Sequence, residues 1–274
     1  MALLGRKVAV SLPDTLLEDK ENLREKTAKL GVIARACAIY GVDVIQVFRD
    51  PVGKGEGRGI RKVLEYLETP QYLRKRLYPL DEELRYAGAL PPLRIPSHKA
   101  RIPSDRLALG EVREGVVNGD GTVDVGLEVA PKLRQRAPAG NRVTVRVVSL
   151  GPPTADLIPR EKAGPYWGYT VEVKTAEEVL TDSRFPLKIA TSRLGTPVAM
   201  ELEHLKASLK EARGVKLIFG SPARGLFDIV GPDLPRLVDY VLNIFPQQQV
   251  ETVRTEEAVL ASLGVVGLLS AEKA

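Results

Sequence analysis

Two apolar strands in the last sixty residues, Val215 to Phe219 and Tyr240 to Phe245, each run directly into a loop of small or amide residues. The first loop reads Gly220-Ser221-Pro222-Ala223-Arg224-Gly225. The second reads Pro246-Gln247-Gln248-Gln249-Val250-Glu251-Thr252 and leads to a closing helix over Glu256 to Leu269. Short, mostly apolar strands belong inside a parallel sheet covered on both faces, and ligands sit in the crevice at the carboxyl ends of such strands. With the two strands side by side, Gly220 and Gly225 let the main chain approach a ligand, while Gln247 to Gln249 and Thr252 offer uncharged hydrogen-bonding groups. Such loops suit a nucleoside-like ligand better than a phosphate. The segment Lys54-Gly55-Glu56-Gly57-Arg58-Gly59 lacks both the Gly-Lys-Ser/Thr ending of a phosphate loop and the dinucleotide glycine spacing, so it reads as a mobile basic loop.

The chain opens as strand, helix, strand. Lys7 to Leu12 and Val42 to Phe48 are short and β-branched, and apolar residues at 23, 30, 33, 34, 37 and 38 between them follow a helical period. That unit predicts parallel strands joined by a right-handed crossover. Arg58 to Glu68 and Pro70 to Leu77 read as helices with basic faces. Near Leu90 the texture changes: prolines stand at 91, 92, 96 and 103, and alternation replaces helical periodicity. Gly110 to Val117, the turn Asn118-Gly119-Asp120-Gly121, Thr122 to Val129, Arg142 to Val148 and Tyr166 to Val173 predict a small OB-like barrel. Strand and helix resume with Leu187 to Thr191 and with Pro197 to Ala212, capped by Thr196. The expected architecture is therefore an α/β domain over 1–91 and 175–274, interrupted by a small β-barrel domain over 92–174. The closing helix is apolar on more than one face, which predicts a homodimer.

Composition narrows the chemistry. One cysteine and two histidines leave no material for a disulfide framework or a multi-Cys or His-rich metal centre, so no metal is expected. No apolar run has bilayer length, and residues 1–7 lack a signal-peptide core; a cytoplasmic location is the expectation. The net charge of +5 is unevenly placed. Lys54 to Arg76 holds seven basic residues against three acidic ones, and Pro92 to Lys174 thirteen against nine, while the remainder is slightly acidic. A solvated surface explains one such patch; two, flanking a candidate ligand fold, point to a polyanion. The candidate contacts are Arg58, Arg61, Lys62, Arg74, Lys75, Arg76, Arg134 and Arg136. Tyr166, Trp167 and Tyr169 either stack on bases or fill the barrel interior.

The stretch Asn243-Ile244-Phe245-Pro246-Gln247-Gln248-Gln249-Val250-Glu251-Thr252-Val253-Arg254-Thr255-Glu256-Glu257-Ala258, together with the helix Lys29 to Val42, resembles the SPOUT class of RNA methyltransferases, whose cofactor site is a trefoil knot. Over nearly its full length the chain is similar to the archaeal and eukaryotic subgroup that carries an inserted OB-like domain. The resemblance implies a knotted, dimeric enzyme that takes S-adenosylmethionine and acts on RNA, with ribosomal RNA and uridine N3 as target and ribose 2′-O methylation as a further possibility. It implies cofactor contacts at Thr191, Leu217, Gly220, Gly225, Ile244, Phe245, Gln249, Thr252 and Val253. It also assigns Arg35 to the target nucleotide.

The residues themselves leave alternatives open. Leu217 and Ile244 are core in any parallel sheet. Arg35 stands on an otherwise apolar helix, where a buried guanidinium needs either an internal carboxylate or a nucleotide. Arg254 precedes a helix that Thr255 caps and whose first turn is acidic, so the cation has no structural motive there, and Glu257 is the candidate base. A non-catalytic RNA-binding assembly factor of the same fold is the alternative that Gln247 and Gln249 motivate, because their side chains would narrow the crevice. A nicotinamide oxidoreductase lacks its glycine fingerprint.

Overall fold

The computed structural model describes residues 6–271; the stretch 1–5, part of the leader reading, lies outside them. The chain forms two compact units. The first takes the chain up to Leu67, the short span Glu82–Pro91 and everything from Tyr169 on, and the second takes Glu68–Asp81 and Pro92–Gly168.

In chain order the elements are β1 (Lys7–Pro13), α1 (Leu23–Ile39), β2 (Val44–Phe48), α2 (Gly57–Glu68), α3 (Gln71–Leu77), β3 (Val112–Val117), β4 (Val123–Asp124), β5 (Lys132–Leu133), β6 (Arg142–Leu150), β7 (Pro153–Leu157), β8 (Thr170–Lys174), α4 (Ala176–Thr181), β9 (Leu187–Pro197), α5 (Leu202–Glu211), β10 (Gly214–Ile218), α6 (Leu226–Val230), α7 (Leu234–Leu237), β11 (Tyr240–Asn243) and α8 (Thr255–Ala271).

The first unit is built on a six-stranded sheet in the order β11-β9-β10-β1-β2-β8. Every pairing in it is parallel. β2 and β10 are buried along their whole length, including Gln46 and Lys216 within their otherwise apolar runs. Asn22 caps α1 by accepting the Glu25 N–H at 3.0 Å, and the helix packs Leu30, Ile33, Ala34 and Cys37 inward. Cys37 is plain core, and burial pushes its thiol pKa up. The second unit holds a five-stranded sheet, β4-β3-β6-β7-β5, mostly antiparallel, closed over Val117, Val123, Val125, Val145, Val147 and Ala155.

Several expectations are corrected. β10 and β11 are not neighbours, because β9 lies between them and pairs with both. The strand expected over Tyr166 to Val173 is β8, which pairs with β2 in the parallel sheet and so belongs to the first unit. Residues 68–81 fall in the second unit, so the boundaries 1–91, 92–174 and 175–274 shift at both ends of the insert. The second unit instead gains β7, in what reads as a Gly/Pro-rich connection, and β5. The helix expected from Pro197 begins only at Leu202, and Thr196 is not its cap, since Thr196 and Pro197 pair with Leu242 and Asn243.

Candidate functional site

A cleft of about 310 Å³ opens at the carboxyl edge of β9, β10 and β11 and is closed from the side by the first two turns of α8. Three loops build it. The one absent from the expectations is a bulge in β9. Tyr240 and Val241 pair with Ile189 and Ala190, but Leu242 pairs with Thr196, so residues 191–195 are looped out of the ladder. Thr191, Ser192, Arg193 and Leu194 of this bulge line the cleft. Thr191 Oγ1 donates to the Ile218 carbonyl at 3.2 Å, and Asn243 Nδ2 donates to the Arg193 carbonyl at 3.0 Å, which joins the bulge to both other loops.

The loop after β10 is a tight turn. Ser221 N–H donates to the Arg224 carbonyl at 2.8 Å and Arg224 N–H to Ser221 Oγ at 3.0 Å. A Cβ on Gly220 would stand 2.9 Å from the Arg224 carbonyl oxygen, so only glycine lets the turn close. Arg224 anchors the turn to the ends of β1 and β2. Its Nε and Nη2 donate to Asp50 Oδ2 at 3.0 and 2.8 Å, and Nη2 also reaches Glu18 at 3.1 Å. Burial alone would raise the Asp50 pKa, but the Val52 N–H, Arg224 and Thr15 together hold the carboxyl below its ordinary value. Gly53, the residue before the basic loop, packs here: a Cβ on it would collide with Thr15 Cγ2 and lie 2.5 Å from Arg224 Nη2. The residue that leads into the basic loop therefore sits on the anchor of the cleft's own loop.

The loop after β11 is held by Gln248, whose Nε2 donates to the carbonyls of Val250 at 2.9 Å and Glu251 at 3.1 Å. Phe219, Phe227, Leu242, Ile244, Phe245 and Val253 supply apolar wall. Of the charged lining residues, Arg193, Asp228 and Glu251 are exposed, while Arg224 is half-buried.

Of the sequence-derived contacts, Thr191, Gly220, Gly225, Ile244, Phe245, Thr252 and Val253 line the cleft. Leu217 does not: it is sheet core. Nor does Gln249, which is exposed with its Nε2 donating to the Gln247 carbonyl at 3.1 Å, and Gln247 is exposed as well. Gln248 takes the lining position. Ser192, Leu194, Ala258 and Ser262 also line the cleft, none of them among the sequence-derived contacts. The run Thr191-Ser192-Arg193-Leu194-Gly195 has the same texture of small and polar residues after an apolar strand as the two recognised loops, and that was the signal to use.

Arg35 is exposed, not buried, so the desolvation argument for an anionic partner lapses; it shares its face of α1 with exposed Val32 and Ile39. Arg254 is exposed at the start of α8, and its N–H donates to Glu257 Oε2 at 3.0 Å. Glu257 thus caps the helix, the role expected of Thr255, and its carboxylate has a structural task besides any role as base.

The basic residues divide. Arg58, Lys75 and Arg136 are exposed. Arg61 pairs with Glu65 at 2.8 Å, Lys62 with Glu83, and Arg134 with Asp156 at 3.4 Å. Arg76 Nη2 donates to the Val117 carbonyl at 3.0 Å. Arg74 is a correction: it is 6% exposed and its Nε donates to the Thr69 carbonyl at 2.9 Å, so it secures the base of α3 and cannot meet a polyanion. Trp167 and Tyr169 are buried, with Trp167 Nε1 donating to Glu114 Oε1 at 2.5 Å and Tyr169 Oη to the Leu64 carbonyl at 3.0 Å, which settles both as core. Among the described residues, no group of three or more His, Cys, Asp or Glu could hold a metal, and no helix is long and apolar enough to cross a membrane.

A parallel sheet whose strand ends and loops enclose a cleft of mixed apolar and polar lining is the place where proteins of this class hold small ligands. Residues 7–266 match the family described as "Putative RNA methyltransferase". An uncharacterized protein of Halobacterium salinarum is 36% identical over 291 residues, covering 95% of this chain and 98% of that one. A 28S rRNA (uridine-N(3))-methyltransferase of Homo sapiens is 34% identical over 306 residues, covering 96% of this chain and 79% of that protein. The chain belongs to this RNA methyltransferase family and is an enzyme.

Proposed function

We propose that the protein is a SPOUT-class methyltransferase that uses S-adenosylmethionine to methylate N3 of a uridine in large-subunit ribosomal RNA. The cleft carries the reading: three backbone-rich loops and the first turns of α8 converge there, in a chain about one-third identical to a relative named for that reaction. The residues fit an adenosyl group, with a glycine turn that leaves no room for a Cβ, apolar walls and a buried hydroxyl without a protein partner. When bound, the cofactor supplies an electrophilic methyl group on its sulfonium.

The chain's own part is to position and to polarise. Phe219, Leu242, Ile244 and Phe245 give the base and ribose a dry wall, and Arg224 holds the glycine turn against Asp50. Uridine N3 must lose its proton before it can accept a methyl group, and a guanidinium beside the ring lowers the cost of that anion; Arg254 at the start of α8 and Arg35 on α1 are our candidates. Exposed Arg58, Lys75 and Arg136 take RNA phosphates, and the second unit, read as an OB-like barrel, grips the strand. Exposed Val32 and Ile39 on α1 and Leu260 and Leu268 on α8 support a homodimer, which would carry Arg35 to the interface. The trefoil knot belongs to the same proposal, and a cytoplasmic location goes with a ribosomal RNA substrate.

The test is calorimetric titration with S-adenosylmethionine, followed by labelled methyl transfer to large-subunit RNA lacking its modifications and nucleoside mapping. 3-Methyluridine is the expected product. A ribose-methylated nucleoside would move the reaction to the 2′-oxygen. Absence of cofactor binding at high micromolar concentration would leave an RNA-binding assembly factor. That alternative loses its original motive here, because Gln247 and Gln249 are exposed and outside the cleft.

A further inference from the structure

We propose that Ser262 is a specificity residue for the methyl donor, its hydroxyl taking the edge of the adenine ring. This rests on the cofactor reading above and adds the contact that selects the base. Thr255, Ala258 and Ser262 stand at helical spacings of three and four on α8 and all line the cleft, a stripe of small residues about 10 Å long. Ser262 is 0% exposed, and its Oγ has no hydrogen-bond partner.

That condition is unusual for a helical serine. A buried hydroxyl normally returns its proton to the carbonyl four residues back. Buried Thr27 does so to Leu23 at 2.7 Å, and half-buried Ser270, on α8 like Ser262, does so to Val266 at 2.7 Å. Ser262 makes no such bond, so a polar group withdrawn from water is left unsatisfied in the wall of the cleft, a cost that a ligand bond would remove.

The position indicates which part of the ligand meets it. The amino-acid end of the cofactor carries an ammonium and a carboxylate, which are costly to place beside a fully dry wall. Of the charged lining residues, Arg193, Asp228 and Glu251 are exposed, and the half-buried Arg224 is already paired with Asp50 and Glu18. The neutral base therefore goes to the dry end, and a hydroxyl that can both donate and accept matches the mixed donor and acceptor edge of adenine.

The experiment measures the affinity of wild type and Ser262→Ala for S-adenosylmethionine, S-adenosylhomocysteine and adenosine, together with thermal melting of each protein without added ligand. The expected result is weakening of about threefold to tenfold, equal for all three ligands, with a melting temperature that holds or rises because an unpaired hydroxyl has been removed. Unchanged affinity would overturn the proposal. So would weakening confined to the two amino-acid-bearing ligands, which would place the contact at the other end, or a melting temperature several degrees lower, which would make Ser262 a fold residue. Failure of wild type to bind any of the three would instead remove the cofactor reading itself.

Discussion

The Glu68–Glu114 cluster of the second unit and the cleft of the first treat buried polar groups in opposite ways. In the second unit Glu68 and Glu114 are almost fully buried, yet all four carboxylate oxygens are satisfied. Arg142 reaches Glu68 Oε2 and Glu114 Oε2 at 2.7 Å each, Arg160 reaches Glu68 Oε1 at 2.5 Å, and Thr144 and Trp167 donate to Glu114 Oε1 at 2.6 and 2.5 Å. In the cleft the loops satisfy themselves with turn bonds, while Ser262 is left without a partner. A buried polar cluster with every bond made is architecture, and it ties Glu68 to β3 and β6 of the same unit. A buried hydroxyl with none, in the lining of an open cleft, is a place for something else to bind.

That contrast can be broken most forcefully at Arg142. Replacement by alanine leaves two buried carboxylates without their shared cation, and a loss of about 3 to 5 kcal/mol is expected. Thermal melting should fall steeply and methyl transfer to RNA should fail, while cofactor affinity measured below the transition stays within about twofold. Equal loss of cofactor binding would show that the two sets of polar groups are not separable.

Acid should strain the second unit next. His98 Nε2 donates to the Glu68 carbonyl at 2.7 Å, and its buried Nδ1 has no partner. Burial lowers the imidazole pKa from 6.5 to about 4. Between those values the unfolded chain binds a proton that the folded one refuses, so this contribution is complete above pH 6.5 and is lost as the pH falls toward 4, on the order of 2 to 3 kcal/mol. Denaturant unfolding of wild type and His98→Gln across that range checks it; the variant should lose the His98 part of the acid slope.

Smaller effects sharpen the cleft side. Gly220→Ala puts a methyl against the Arg224 carbonyl and should raise the cofactor Kd roughly tenfold, about 1.4 kcal/mol, by opening the turn. Asp50→Asn keeps the size but not the charge that holds Arg224, and a severalfold rise in Kd is expected although Asp50 lies outside the cleft lining. Smallest of all, Lys75→Ala and Arg136→Ala should leave cofactor binding unchanged, and each should reduce the salt dependence of RNA binding by about one counterion. Filter binding over a salt series reads this directly.

How much of the site could be read beforehand follows from which signals are local. Gly220, Ile244, Phe245 and Val253 were found because apolar strands ending in small-residue loops are visible residue by residue. Gln249 was chosen over Gln248 because composition cannot tell which of three consecutive amides folds inward to staple its loop. Arg74 looked like its basic neighbours, and only the position of the Thr69 carbonyl buries it. Ser262 was invisible, since nothing in a helical sequence says which serine will lack its back-bond.

By itself the sequence determined the buried strands, the βαβ opening, the β-rich texture of the middle and the chemical character of two loops, all of which depend on short-range periodicity and turn residues. Tertiary structure alone decided that β9 lies between β10 and β11, that its bulge forms a third wall, and that β8 returns to the parallel sheet. Strand order is a competition among long-range pairings, and similar apolar strands carry no local mark of which neighbour they will take.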